Sequence, residues 1–252
     1  MYFFKDKIYV PNTSSLRTQV IQVHHDTLYS GHMGINHTLA ALQRWFYWPH
    51  MHRDVTKYVK NCVTCLQAKP GKTIRQGLLH PLNVPDRPWW SISIDFITGL
   101  PPAKDGSDAI LTIVDRLTRM VHLVPTTTTC DSLEFAQLMK QHVIAKHGCP
   151  ADIVSDRGSL FTGKFWTEVC HLLQMHMSMS TAFHPQSDGS TEIVNRMVEQ
   201  VLRCHCMYQP KTWSDNLCMV EFAINNSYHE SLKHTPFFLN FGMHPHYNSC
   251  HS

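Results

Sequence analysis

The sequence predicts an α/β fold, a mixed five-stranded sheet flanked by helices and preceded by a small helical lobe. Three observations lead there. Residues 91–125 hold three successive β-rich runs, two further runs follow in alternation with helical stretches, and residues 1–67 carry mainly helical periodicity.

In the N-terminal lobe, Tyr2–Phe4 and Lys7–Val10 read as short strands, and SLRTQVIQVHHD as a helix leading into a histidine pair. Ile35, Leu39, Leu42 and Trp45 fall at helical spacing. Met51, Val55, Tyr58 and Val59 form a second stripe, separated from the first by Trp48-Pro49. In the larger part, SISIDFITG (91–99), DAILTIVDRLT (108–118) and RMVHLVP (119–125) predict a three-stranded meander. Asp131 offers an N-cap with Glu134 three residues on and Gly148 a C-cap. The helix between them has apolar Leu133, Ala136, Met139 and Val143. PADIVSD (150–156) is the fourth strand, Gly163–Leu173 a helix, Met175–Ser180 a short strand and Ser190–Cys206 a long helix. The long helix has an apolar stripe of Ile193, Val194, Met197, Val198, Val201 and Leu202, with Glu192, Asn195, Arg196, Glu199 and Arg203 on the other face.

Length and composition narrow the class. The 252 residues are 43% hydrophobic and 16% charged, which excludes a disordered chain, a collagen and a coiled coil. No apolar run reaches the roughly 18–20 residues of a membrane span, and charges inside the first apolar stretch argue against a signal peptide. The chain reads as soluble, folded and of intracellular type. The net charge of +3 hides an asymmetry: residues 1–80 hold ten Lys/Arg against three Asp/Glu, and residues 81–252 twelve against sixteen. The basic part suits a polyanion, and converging carboxylates in the acidic part suit cations. The segment 68–88, rich in Pro, Gly and Lys, reads as a linker. It separates a lobe at 1–67 from a core at 89–245, with a tail at 246–252.

Histidine occurs nineteen times, and an odd count of nine cysteines without a secretory signal argues against a disulfide framework. A lobe of this size buries too little apolar surface to be secure alone. The spacing His25-x6-His32-x29-Cys62-x2-Cys65 offers a staple, because zinc accepts imidazole nitrogen and thiolate sulfur in a closed tetrahedron. His24 and His37 are rivals for the histidine positions.

Three acids stand out in the core. Asp95 sits in the first long strand, Asp156 at the C-terminal end of the fourth, and Glu192 in the first turn of the long helix. Singly, each has an ordinary structural explanation. Together they offer hard oxygen ligands for two divalent cations, Mg²⁺ or Mn²⁺, about 3.5–4 Å apart, the arrangement that clamps an in-line displacement at phosphorus. Glu199, two turns beyond Glu192, is the runner-up third acid. His184 and Gln186 can orient a DNA end or water, or simply shape a turn at Pro185. Asn195 and Arg196 are candidates for DNA contact, an exposed helix Asn being the commoner explanation of the first. Trp89, Trp90, Trp166 and Trp213 read as packing residues rather than base-stacking platforms.

The spacing Asp95-x60-Asp156-x35-Glu192 resembles the D,D-35-E triad of retroviral and retrotransposon integrases. WWSISIDFITGLP, AILTIVDRLTRMVHLVP, GCPADIVSDRG, STAFHPQSDGSTEIVNR and EFAINNSYH resemble in particular the integrases of gypsy-type long-terminal-repeat retrotransposons. Upstream, GHMGINHTL and FYWPHMHRDVTKYVKNCVTC resemble that family's zinc-binding lobe, which implies His25, His32, Cys62 and Cys65 as ligands of one structural zinc ion. The resemblance runs over about residues 5–245. It implies a ribonuclease-H-like core, catalysis by Asp95, Asp156 and Glu192 with two Mg²⁺ or Mn²⁺ ions, 3′-end processing and strand transfer of element DNA into target DNA. Assembly as a homo-oligomer and action in the nucleus after a cytoplasmic phase are further implications, with neither a membrane nor a small-molecule substrate involved.

The chain departs from the family pattern at Ser190, where Gln is usual, at Ile193, where Arg is usual, and at Asn36-His37-Thr38, which replaces a customary Lys-Thr. The family generally continues beyond TPFFLNFG (235–242) into a small basic DNA-binding barrel, whereas this sequence stops at Ser252. The alternative expectation is therefore a catalytically impaired or domesticated nucleic-acid-binding protein.

Overall fold

A computed structural model describes residues 2–13, 15–68, 85–155, 182–184 and 189–245. The chain divides into two compact units: one of Gln76–Arg196 with Pro210–Leu217, the other of Met1–Arg75 with Met197–Gln209 and Cys218–Ser252.

The first of these is built on five strands, which follow three short ones (β1–β3) in the other unit: β4 (Ser91–Ile97), β5 (Ala109–Asp115), β6 (Val121–Thr126), β7 (Asp152–Ser155) and β8 (Ala182–His184). Their order is β6-β5-β4-β7-β8. The β4–β5 and β5–β6 pairs are antiparallel, as a meander requires, while β4–β7 and β7–β8 are parallel. β4 is thus the central strand, with Asp95 opposite Thr112 of β5. All seven residues of β5 are buried, which explains why AILTIVD reads as a continuous run rather than an alternation. The mixed sheet is the one the sequence predicts. The strand beside β7 is Ala182–His184, and the stretches expected as a helix at 163–173 and a strand at 175–180 lie outside the described residues.

Asp131 caps α5 (Ser132–Met139) by accepting from the Glu134 N–H at 2.8 Å. The helix continues through a π-helical turn (Lys140–Ile144) into α6 (Ala145–His147), and Gly148 ends it at φ 89°. Its buried face is Phe135, Ala136, Met139 and Val143. Leu133, expected in that stripe, is 44% exposed, because Phe135 rather than Leu133 shares the face of Met139. Trp89 and Trp213 are buried, the latter donating Nε1–H to the Pro101 carbonyl at 2.8 Å. Trp90, expected to pack, is instead 39% exposed beneath the Arg87 guanidinium, 3.6 Å from its ring centroid.

In the other unit, β1 (Phe3–Phe4), β2 (Lys7–Tyr9) and β3 (Phe46–Tyr47) form a small sheet, β1–β2 antiparallel and β2–β3 parallel. Around it lie α1 (Leu16–Val23), α2 (Ile35–Gln43), α3 (Met51–Lys60) and α4 (Val63–Ala68). Their core is Val10, Ile21, Leu42, Trp48, Met51, Val55 and Val59, with Ile35, Leu39 and Tyr58 against it. Trp45 is 41% exposed, since α2 ends at Gln43 and the helical register no longer applies. The loop between α1 and α2 turns tightly, with Gly31 at φ 65°. A Cβ there would stand 3.1 Å from Ala223 Cβ and 3.4 Å from Val201 Cγ1. Among the described residues, no helix is long and apolar enough to cross a membrane.

Candidate functional site

Two constellations emerge, one in each unit. In the first, α1 ends at Val23 and delivers His24 and His25. The next turn brings His32 back, its N–H donating to the His25 carbonyl at 3.0 Å. His32 itself is left-handed (φ 48°), a strained conformation for a residue with a Cβ that points its ring at the ring of His25, the centroids 5.0 Å apart. From the other side, the end of α3 and the start of α4 supply Cys62 and Cys65. The donor atoms of His25, His32, Cys62 and Cys65 all lie within 4.8 Å of one another.

The individual separations test whether an ion fits. Zinc–sulfur and zinc–nitrogen bonds of about 2.3 and 2.05 Å at a tetrahedral angle place sulfur about 3.6 Å from nitrogen. The observed values are 3.4 Å for Cys65 Sγ to His25 Nε2, 3.5 Å for Cys62 Sγ to His32 Nδ1 and 3.7 Å for Cys65 Sγ to His32 Nδ1. Burial pushes the Cys62 thiol above its ordinary pKa; the Cys65 backbone opposes the rise, and the Cys65 side chain and Asp26 add to it. A cation at the centre opposes that effect and favours the thiolate. Soft sulfur and imidazole nitrogen at this spacing fit zinc. The rival histidines stand elsewhere: His24 Nδ1 faces the Val20 carbonyl at 2.9 Å, and neither His24 nor His37 belongs to the cluster. Sequence reasoning missed His205, whose ring lies 5.3 Å from that of His32 and whose pKa burial lowers to about 4, His32 contributing.

In the second constellation, α7 (Gly189–Cys206) meets the central strand through its first two turns. Thr191 donates its hydroxyl to Ser93 Oγ at 2.9 Å, and Asn195 donates Nδ2–H to Asp95 Oδ2 at 2.6 Å. The match is geometric. Four residues of helix rise about 6.0 Å and two residues of strand about 6.6 Å, so two rungs register side by side. Asp95 is half-buried, and its Oδ1 accepts from the Phe96 N–H at 2.8 Å. Glu192, adjacent to Thr191 and one turn before Asn195, is exposed in the first turn of the helix. Asp95 and Glu192 present oxygen donors of the kind hard divalent cations take.

The apolar stripe expected on α7 is rotated. Thr191, Val194, Asn195, Val198, Val201 and Leu202 are buried, whereas Ile193 is 57% exposed. Asn195 therefore lies not on the solvent face, as the pattern of charged neighbours suggests, but against Asp95. Arg196 is exposed. Glu199 is engaged by Arg203 at 3.1 Å, one turn on. His184 is the last residue of β8, paired with Val154 of β7. Asp156, the residue after β7 ends at Ser155, and Gln186 lie outside the described residues. Another core acid, Asp115, is accounted for structurally. It is fully buried and accepts from the Trp89 and Thr118 N–H groups at 2.9 Å each and from the Thr118 hydroxyl at 2.6 Å.

Comparison with known proteins bears on both constellations. Residues 12–71 match the integrase zinc binding domain, and residues 85–185 the integrase core domain. The Transposon Tf2-3 and Tf2-4 polyproteins of Schizosaccharomyces pombe are each 36% identical over 233 residues, 92% of this chain. The chain spans 17% of the length of these relatives. Among solved structures, the simian T-cell lymphotropic virus intasome in complex with PP2A regulatory subunit B56 gamma superposes with a TM-score of 0.59 at 18% identity. That match covers 92% of this chain and 77% of the other, and shows the shared fold. The two matched domains imply zinc in the first and a divalent metal in the second. With an integrase zinc-binding domain followed by an integrase core on a ribonuclease-H-like sheet, the chain carries two integrase domains and is similar over most of its own length to the transposon Tf2 polyproteins.

Proposed function

We propose that this chain carries out the chemistry of DNA integration: trimming the 3′ ends of an element's DNA and joining them to target DNA, with Asp95, Asp156 and Glu192 as catalytic residues. The observation that carries the reading is the double rung between α7 and the central strand. It fixes Asp95 and sets Glu192 one turn from the Asn195 that holds it.

Both steps are in-line displacements at phosphorus. In the first, a water oxygen bonds to phosphorus and the P–O bond to the departing 3′ fragment breaks, leaving a free 3′-hydroxyl. In the second, that hydroxyl oxygen bonds to a target phosphorus as the target's own 3′-oxygen leaves. The three carboxylates would hold two Mg²⁺ or Mn²⁺ ions, which when bound lower the pKa of the attacking hydroxyl and stabilise the leaving oxygen. The chain's own contribution is positional. β4 carries Asp95 and α7 carries Glu192, and Asn195 stabilises the Asp95 carboxylate by donating a side-chain amide hydrogen to it. His25, His32, Cys62 and Cys65 hold one structural zinc ion, which closes the N-terminal lobe. The partners are element-end and target DNA and further copies of the chain, and the site of action is the nucleus. Along the sequence the lobe spans 1–67, the linker 68–88, the core 89–245 and the tail 246–252, while in the fold 197–209 and the residues from 218 on group with the lobe.

The test is a strand-joining assay with oligonucleotides that mimic element ends, in Mg²⁺ and in Mn²⁺, comparing the wild type with Asp95→Asn, Asp156→Asn and Glu192→Gln. Joining by the wild type and its loss in each variant is the expected result. Joining that survives any of the three removes that residue from the site.

A further inference from the structure

The cluster of His25, His32, Cys62 and Cys65 contains one polar side chain that is not a ligand and is as deeply buried as the ligands. Thr38, the fourth residue of α2, is 1% exposed, and its Oγ1 lies 3.2 Å from Nδ1 of the fully buried His25. The same hydroxyl donates to the Met33 carbonyl at 3.3 Å. A carbonyl can only accept, so the single hydroxyl hydrogen goes to Met33, and toward His25 the Thr38 oxygen acts as an acceptor. His25 Nδ1 must then carry the hydrogen. A neutral imidazole with hydrogen on Nδ1 has its lone pair on Nε2, and Nε2 is the atom that faces Cys65 Sγ at 3.4 Å.

We propose that Thr38 is a positioning residue for the metal: it fixes His25 in the tautomer and ring orientation that present Nε2 to the zinc ion. The inference rests on the zinc reading above and deepens it. The chain of donors runs His25 to Thr38 to Met33, and Met33 is the neighbour of the second histidine ligand. The His32 N–H returns to the His25 carbonyl at 3.0 Å, so the two histidines are tied both through the backbone and through Thr38. α2 supplies the rigidity, since the Thr38 N–H is engaged by the Gly34 carbonyl at 3.0 Å. The Tyr58 ring meets that of His25 edge-on, the centroids 5.9 Å apart, and closes a further side of the imidazole. His32 differs: it turns Nδ1 to the sulfurs, so the Thr38 contact belongs to His25 alone of the pair.

The experiment measures zinc affinity of the full 252-residue chain by competition with a chromophoric chelator, for wild type, Thr38→Val, Thr38→Ser and Cys65→Ser. Loss of a group that orients a metal-binding imidazole weakens the metal about 10–100-fold. Thr38→Val is expected in that range, and Thr38→Ser within about threefold of wild type, because it keeps the hydroxyl. Long-range ¹H–¹⁵N spectra of the zinc-loaded wild type should show the His25 hydrogen on Nδ1, a readout that does not depend on any variant folding. Wild-type affinity in Thr38→Val, affinity in Thr38→Ser as poor as in Thr38→Val, or hydrogen on Nε2 overturns the proposal and leaves the zinc site standing. A wild type that binds no zinc, or a Cys65→Ser variant that binds it unchanged, overturns the zinc reading and this inference with it.

Discussion

Asn195 donates its side-chain amide to Asp95 at 2.6 Å, the shortest of the two rungs that join α7 to the central strand. The consequence is a division of labour along two helical turns. Thr191 and Asn195 face the sheet, and Glu192 between them stays exposed.

Removing the amide separates positioning from chemistry. Asn195→Ala leaves the Asp95 carboxylate without its amide donor but keeps all three acids. Joining activity at a fixed divalent-metal concentration should fall about 10–100-fold. Raising the metal concentration should recover part of the loss, because Asp95 is still present. Asn195→Asp puts a second carboxylate against the first and should be worse than Ala at low metal concentration. Titrating activity against metal for the three proteins checks this, and identical metal dependence in wild type and Asn195→Ala would mean the rung has no part in the site.

Asp115 makes the opposite prediction. Its carboxylate serves the backbone at the start of β4 and the turn after β5, holding Trp89, which sits at φ 61°, and Thr118. Asp115→Asn presents an amide N–H₂ to groups that are themselves donors, and should cost about 2–4 kcal/mol of stability. Urea unfolding reads the cost directly. Activity per folded molecule should be unchanged, which distinguishes this buried acid from Asp95.

What could be read from the residues alone follows the same division. Local rules carried the strands of the meander, the Asp131 cap and the Gly148 stop, because each depends on neighbours within a few positions. The pairing of two histidines with Cys62 and Cys65 was legible from spacing, but spacing left His24 and His37 as rivals, and the fold selects His25 and His32. The face of α7 was not. The pattern Ile193-Val194 cannot say which of two adjacent apolar residues turns inward. The deciding contacts, Ser93 with Thr191 and Asp95 with Asn195, join residues about a hundred positions apart. A polar residue one turn from a candidate acid was the available signal for Asn195. Trp90 failed for a related reason, as a cation–π partner three residues upstream makes its exposure tolerable. Thr38 was invisible as a zinc-site residue because nothing in a sequence reports which way a hydroxyl hydrogen points.

Acid should weaken the region around the helix Pro236–Phe241. Burial holds the pKa of His244 below its ordinary 6.5, and the charges of Arg44 and His234 lower it further. The unfolded chain therefore takes up this proton before the folded one does. Its contribution to stability is full above pH 6.5 and declines as pH falls from 6.5 through the lowered value in the fold. Because His244 is only half-buried, the effect is small. Thermal melts from pH 7.5 to 5.5 should show a shallower decline for His244→Gln than for wild type, and parallel slopes would exclude the residue as a contributor.

Zinc removal should act first on the helices that converge on the ligands. Val55 and Val59 belong to the core that Trp48, Met51 and Leu42 complete, and α3 runs directly into the Cys62 knuckle. That core is small, so an ion contributing about 10 kcal/mol or more to folding, as in zinc-finger peptides, dominates its stability. A strong chelator should raise amide hydrogen exchange in α1, α2 and α3 by several orders of magnitude. The amides of β4 and β5, bonded in a six-pair antiparallel register inside their own sheet, should keep their protection. Exchange read peptide by peptide tests both halves at once. Uniform loss across the sheet would show that the ion stabilises the whole chain, and no change in α3 would show that the apolar core alone suffices to hold it.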